Sequence, residues 1–334
     1  MIINTGMRTD IPAFYSEWLM NRIKDGYVMV RNQYFMYQVT KYSLSPSVVD
    51  CLAFCTKNPE PMLKYIDELK KNYKMFWFVT ITPYGKDIEP NVPDIDIVID
   101  SFRILSEKIG SNAIALRYDP ILLNEEYTIE SHIKSFAYIL SKLKGYTHDV
   151  TISFLDLYDK VKKNAPDIRS LSYEEQAIIA KQFVKIGKEN DMIIHGCCEH
   201  PALSKFGVDI TGCMSKEIVE KAIGVILNNP KGQSKRIVTD SNKGVVEGIS
   251  LSEKGKPICN CLMGNDIGAY NTCMHLCKYC YANFNKKLVE KNHKMHNPSS
   301  PFLIGEATLN DKVTEAKQKS WIVDNNVEQI SLFD

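Results

Sequence analysis

Three cysteines, Cys273, Cys277 and Cys280, are spaced C-x3-C-x2-C, with Tyr279 directly before the third. That spacing lets one short loop place three thiolates around a single four-iron cubane. Three protein ligands for four irons leave one iron open, and an open iron can bind and activate a small molecule. A fully ligated cluster mainly carries electrons, so the pattern points to an enzyme. Zinc remains an alternative: structural zinc wants four ligands, commonly as paired C-x2-C knuckles, and Cys277 with Cys280 makes only one knuckle. His275, inside the loop, reads as a solvated histidine, with zinc ligation as the other option.

The remaining cysteines are not scattered evenly. Cys51 and Cys55 lie in an apolar run and read as buried small hydrophobes. Cys197, Cys198, Cys213, Cys259 and Cys261 lie among Gly, Pro and polar residues. Adjacent cysteines rarely both ligate one metal. Cys197 or Cys198, with Cys213, Cys259 and Cys261, would suffice for a second 4Fe–4S cluster or a zinc. The plainer alternative is a set of packed, reduced thiols. His195, Glu199 and His200 read as substrate or outer contacts before they read as ligands.

Elements must bring these groups together. Short apolar runs at Met1–Thr5, Tyr27–Arg31, Val49–Cys55, Met75–Thr82, Ala113–Arg117, Asp149–Leu155 and Met192–His195 read as buried strands. Between them lie amphipathic segments. Ile95 to Ile109 and Ile129 to Leu143 repeat at helical spacing, with Thr128 as a cap. Ser172 with Glu175 forms a capping box, and Ser215–Leu227 is a further helix. Serial strand–helix units joined by right-handed crossovers predict an α/β fold, a (β/α) TIM-type barrel, incomplete or rearranged, over residues 1–228. A doubly wound open sheet is the alternative. Residues 229–334 are expected to form a cysteine-rich iron–sulfur extension that returns to the barrel mouth. Within it, Val245–Ile249 is a short strand and residues 281–334 wrap the outside.

Polar residues follow strand after strand, where a barrel places its chemistry. Arg8, Asp10, Arg117, Asp119 and His195 are the catalytic candidates. Arg8 with Asp10, and Arg117 with Asp119, read either as ion pairs knitting the rim or as grips on a carboxylate or phosphate. The net charge of +1 on 334 residues sets up no global field toward nucleic acid, and no basic–aromatic tract stands out. No stretch approaches the ~18 apolar residues of a membrane span. The polar start argues against a signal peptide, so a cytoplasmic protein without a membrane partner is expected.

The triplet with its preceding aromatic resembles the signature of radical S-adenosylmethionine enzymes. That resemblance implies a 4Fe–4S cluster on Cys273, Cys277 and Cys280, S-adenosylmethionine chelated at the open iron, and Tyr279 near the adenine. It also implies a reductant such as flavodoxin or ferredoxin, and cleavage of the sulfonium to a 5′-deoxyadenosyl radical. The order differs from that superfamily, whose triplet follows the first strand and precedes a Gly-Gly-Glu string absent here. A circular barrel could still bring a late loop to the same mouth. The whole chain resembles the family catalogued as domain of unknown function 1848. The shared strings run from Met7–Trp18 through Phe54–Pro59 and Tyr84–Pro90 to Asp266–Asn271 and Cys280–Asn283. The final residues, with Gln329, Leu332 and Phe333, resemble the peptide by which bacterial DNA-maintenance proteins dock on the sliding clamp; packing of that tail on the barrel is the alternative. The rival functions are a non-catalytic metal or iron–sulfur protein that binds a partner, a metal-dependent barrel hydrolase, and, if the tail resemblance holds, a DNA-repair-associated protein docking on the sliding clamp.

Overall fold

The computed structural model describes residues 1–157, 159–228, 261–262 and 264–323, and the backbone alone of 236–237 and 258–259. The expected strand at Val245–Ile249, the side chain of Cys259 and the clamp-like tail lie outside the described residues.

The first apolar run forms β1 (Ile2–Asn4), followed by α1 (Ile11–Phe14) and α2 (Ser16–Asp25). β2 (Tyr27–Arg31) and β3 (Gln38–Ser43) come next, then β4 (Cys51–Thr56), α3 (Glu60–Leu63) and α4 (Ile66–Leu69). β5 (Met75–Thr80), α5 (Ile95–Ile109), β6 (Ile114–Ile121), α6 (Ile129–Leu143) and β7 (Asp149–Phe154) alternate strictly. They lead into α7 (Asp159–Asn164), α8 (Tyr173–Glu189), β8 (Ile193–Gly196) and α9 (Lys216–Ile223). The last elements are β9 (Arg236–Ile237), β10 (Ile258–Cys259), β11 (Asn265–Asp266), α10 (Lys286–Lys294) and β12 (Lys312–Glu315). The helix starts follow the sequence signals: Thr128 caps α6, Ser215 caps α9, and Ser172 with Glu175 closes a capping box on α8.

Seven strands form one parallel sheet in the order β11-β1-β4-β5-β6-β7-β8. From β1 to β8 the order ascends without reversal. The side chains of the crossover helices pack with one face of it. Leu52, Phe54, Trp77, Val79 and Leu116 share a core with Trp18, Phe102, Phe136 and Phe183. A doubly wound sheet would reverse its order and carry crossovers on both faces. Because strand side chains alternate, the other face carries Ile2, Cys51, Ala53, Phe76, Phe78 and Ala115. Ile218, Val219 and Ile223 of α9 cover it, together with Leu262. β8 and β11 end the sheet, and no ladder joins them among the described residues.

Tyr27–Arg31 departs from its expected place in the parallel series. β2 pairs antiparallel with β3, and β12 adds to β3 in a separate three-stranded sheet. Only residues 32–37 separate β2 from β3, too few for a crossover helix, so a hairpin is the geometric outcome. Asn32 holds that turn by accepting hydrogen bonds from the amides of Tyr34 at 2.8 Å and Phe35 at 3.1 Å. Residues after 281 do wrap back: Trp18 Nε1 donates to the carbonyls of Ser300 at 2.9 Å and Phe302 at 3.0 Å. No helix among the described residues is long and apolar enough to cross a membrane.

His132 of α6 is fully buried between the Tyr118 hydroxyl, 2.8 Å from Nδ1, and the Leu122 carbonyl, 2.7 Å from Nε2. The neutral ring satisfies both, accepting at Nδ1 and donating at Nε2. Burial pushes its pKa down to about 4 from 6.5. A basic group depressed on folding binds more protons in the unfolded chain between those values. Its contribution is therefore complete above pH 6.5 and falls away as pH drops toward 4. Urea unfolding should show wild type losing up to about 3 kcal/mol from this group over that interval, and the loss should be smaller by that amount in His132→Gln.

Candidate active site

The cysteine triplet sits on a loop tied to itself and to the strand ends. The Asn271 amide donates to the Ala282 carbonyl at 2.9 Å, and Asn283 Nδ2 donates to the Cys273 carbonyl at 2.7 Å. Leu276, between the first and second cysteines, takes φ 59°. That left-handed conformation in a branched residue costs about 1–3 kcal/mol and persists only where its surroundings impose it. The Ala282 amide is 3.4 Å from Cys280 Sγ. Amides aimed at sulfur are one of the means by which a protein tunes an iron–sulfur cluster.

Contacts from the residues after several strands seat this loop. His275 Nε2 lies 2.9 Å from Asp10 Oδ2, just beyond β1. Beyond β5, the Ile88 carbonyl accepts from the Lys278 amide at 3.0 Å, and Asn91 Nδ2 donates to the Met274 carbonyl at 2.7 Å. Beyond β7, Lys160 Nζ donates to the Cys280 carbonyl at 2.6 Å. The triplet therefore lies over the C-terminal ends of the parallel strands, at the same end as Arg8 and Asp10. His275 is not solvated as its loop setting suggested: it is 2 % exposed and held by Asp10.

Asp10 is fully engaged. Its Oδ1 caps α1 through the Ala13 amide at 3.0 Å, and its Oδ2 accepts from the Lys57 amide at 2.8 Å as well as facing His275. Arg8, expected to pair with Asp10, pairs instead with Asp266 of β11 at 3.7 Å and lies 5.7 Å from the Tyr270 ring centroid. β11 approaches β1 closely, and a Cβ on Gly264 would meet the Ile2 carbonyl oxygen at 2.5 Å.

Beside the triplet is a buried charged group that sequence reasoning missed. Glu89, 2 % exposed, accepts from Lys57 Nζ at 2.8 Å, from Thr82 Oγ1 at 2.8 Å and from the Tyr279 hydroxyl. Burial opposes charge on Lys57, but the Glu89 carboxylate outweighs it and raises its pKa. Burial pushes the Tyr279 phenol well up, and Glu89 adds to the effect. Tyr279 is thus packed and hydrogen-bonded within the protein. Lys57 and Thr82 were visible as polar residues after strands; nothing in periodicity marked Glu89. Burial likewise pushes the Cys273 and Cys277 thiols well above their usual range, with Asp10 adding at Cys273 and Glu89 at Cys277. Metal ligation there would release protons.

Arg117 and Asp119 do form the expected pair, at 2.6 Å. Burial works against the charge on Arg117, but Asp119 and nearby thiols hold its pKa well up, while burial raises that of Asp119, which also feels Lys57. Arg117 Nη2 reaches Cys197 Sγ at 3.2 Å, and Nη1 reaches Cys213 Sγ at 3.7 Å. Cys213 Sγ is 3.7 Å from Cys197 Sγ and 3.6 Å from Cys261 Sγ. Three of the five cysteines proposed for a second site thus meet, and Cys198, at φ 60°, hydrogen-bonds Cys197. Among the described residues, no three His, Cys, Asp or Glu side chains stand as a ligand set for a single metal ion. Cys51 and Cys55 are buried thiols, pushed up to about 12 and about 11 by burial.

His195 is spent elsewhere. Its Nε2 lies 2.9 Å from Asp149 and its Nδ1 3.0 Å from Asp209. Burial alone would lower its pKa, but these two carboxylates raise it to about 9. Such an imidazolium bridges β7, β8 and the segment after β8. Glu199 accepts from Ser153 Oγ at 2.8 Å and the Phe154 amide at 3.0 Å, and His200 accepts from the Ala202 amide at 3.1 Å.

The family model described as Domain of unknown function (DUF1848) matches residues 2–282, a span that includes both cysteine groups. No curated protein matches. Among solved structures, a putative alpha-L-fucosidase from Bacteroides thetaiotaomicron is similar over 42% of this chain and 43% of its own, at 18% identity and a TM-score of 0.29. This chain thus spans less than half of that protein.

Removing Glu89 should leave Lys57 charged and buried. Glu89→Ala is expected to cost about 3–5 kcal/mol by urea denaturation, whereas in a Lys57→Met background the same change should cost far less. Equal costs in both backgrounds would show the pair to be uncoupled.

Proposed function

We propose that this chain, which belongs to the DUF1848 family, is an iron–sulfur enzyme of the radical S-adenosylmethionine type. The observation that carries this reading is the seating of the C-x3-C-x2-C loop over the C-terminal ends of parallel strands, where α/β enzymes gather their chemistry. In the same reading the sheet is a rearranged (β/α) barrel. From β1 its strand order ascends to β8, and the late strand β11 lies beside β1, the arrangement of a barrel opened between β8 and β11.

The donor set fits a site-differentiated cluster: three thiols from one loop and an amide aimed at the Cys280 sulfur. When bound, such a cluster would supply an open iron for the methionine end of S-adenosylmethionine and one electron to its sulfonium, the electron coming from a carrier such as flavodoxin or ferredoxin. The chain's own residues would do the rest. Asp10 and Asn91 fix the loop, so the three sulfurs keep their relative positions. Lys57 brings positive charge toward Cys277 of the triplet. Glu89 holds the Tyr279 hydroxyl and Tyr84 lies against the ring, so in this reading Tyr279 shapes the cysteine loop from within the protein. With no Gly-Gly-Glu string in the chain, the methionine amino group would need a different backbone partner. Cys197, Cys213 and Cys261 would form the protein side of a second metal site, with Arg117 compensating their charge.

Anaerobic reconstitution with iron and sulfide, followed by reduction and an assay for 5′-deoxyadenosine, tests the proposal. Cys273→Ala should abolish both the cluster absorption and the product, and Cys51→Ala should retain both. A protein that takes up zinc alone and yields no product would overturn it.

A further inference from the structure

The near-neutral chain conceals a local excess of positive charge directly over the triplet. Residues 159–164 and 278–294 together carry eight lysines and two acids. Both segments meet at the cysteine loop: Lys160 of α7 donates to the Cys280 carbonyl at 2.6 Å, and Asn164 Nδ2 lies 3.4 Å from the Lys278 carbonyl. Aromatic rings open to solvent in the middle of this charge. Phe284 is 65% exposed and Tyr281 51%. Phe284 stacks on Tyr270 at 6.1 Å and 25°. A cation attends each ring of that pair, Lys160 at 5.6 Å from Phe284 and Arg8 at 5.7 Å from Tyr270. Lys286 and Lys287 extend the charge outward from Phe284 along the first turn of α10.

We infer that this surface binds a single-stranded polynucleotide. Exposed rings interleaved with lysines supply the two things such a strand needs: π-faces on which successive bases stack, and cations along the phosphates. A folded acidic protein would use the lysines but has no stacking demand that calls for the Tyr270–Phe284 pair. A second exposed aromatic run, Tyr34 to Tyr37 on the β2–β3 turn, is more exposed, with Tyr34 at 81%. It has no comparable run of lysines, and so serves as the internal control. The inference names a substrate class for the proposed site and rests on that reading only for what is done to the strand; binding itself requires no turnover.

Fluorescence anisotropy of labelled 20-nucleotide dT and U strands on the full-length reconstituted protein tests this. Binding of either strand is expected at low salt, weakening as salt rises, and the preferred strand identifies DNA or RNA. Phe284→Ala should weaken it roughly 10- to 100-fold. Lys286→Glu with Lys287→Glu should weaken it further and flatten the salt slope by about 0.7 for each phosphate that is no longer neutralised. Tyr34→Ala should have no effect. Circular dichroism verifies that each variant is folded. The inference is overturned if neither strand binds, if Tyr34→Ala and Phe284→Ala behave alike, or if only a reduced flavodoxin competes for these lysines. Product from S-adenosylmethionine without strand binding would leave the radical reading standing and remove this one.

Discussion

One buried carboxylate joins the parts of this protein that are distant in sequence. Asp10 follows the first strand, caps α1, takes the Lys57 amide after β4, and clamps His275 in the middle of the cysteine loop. Each contact satisfies a polar group that burial would otherwise leave stranded, at a cost of about 1–3 kcal/mol each. Without it the triplet would lose the contact that holds its central histidine to the region after β1. The position of the three thiols relative to the sheet therefore depends on a side chain more than 260 residues away from them in the chain.

A run of charge continues inward from that anchor. Tyr279 and Lys57 converge on Glu89; Asp119 feels Lys57 and pairs with Arg117; Arg117 reaches Cys197 and Cys213. One set of contacts thus reaches from the triplet to Glu89 and Lys57, and another joins Asp119 and Arg117 to the second cysteine group. Ion pairs of this kind cost desolvation energy and are weak stabilisers. Hydrophobic packing on both faces of the sheet must offset that cost, with the helices on one side and α9 on the other. His195 lies elsewhere, on β8, where its own charge and that of Lys221 balance Asp149 and Asp209.

The sheet was legible in the sequence wherever period and composition carried the information. β4, β5, β6, β7 and β8 are apolar runs, and α5, α6 and α8 have helical stripes with capping residues. Tyr27–Arg31 has the same apolar character yet joins another sheet and is largely half-buried, because an apolar run marks a strand without saying what it pairs with. β11 was illegible for the opposite reason: Asn265 and Asp266 are polar, and they become a strand only through register with β1 and the room left by Gly264. In the site, cysteine spacing announced itself, whereas Glu89 did not. A buried ion pair is defined by a partner 32 residues away, and sequence neighbourhood holds no trace of it. The basic–aromatic surface escaped for a similar reason, since its charge is divided between α7 and the stretch from Lys278 through α10 and sums only in space.

The pairing of β11 with β1 also fixes an order of events in the life of each molecule. Ile3 faces Asn265, so the strand that starts the sheet waits for one near the opposite end of the described chain. At ribosomal rates of about 5–20 residues per second, that interval is roughly tens of seconds. Six strands can assemble meanwhile, with Asp10, Lys57 and Glu89 still in water. The loop that buries them, and that carries the three thiols, arrives only after those six strands. Its arrival would dry the C-terminal ends of the strands.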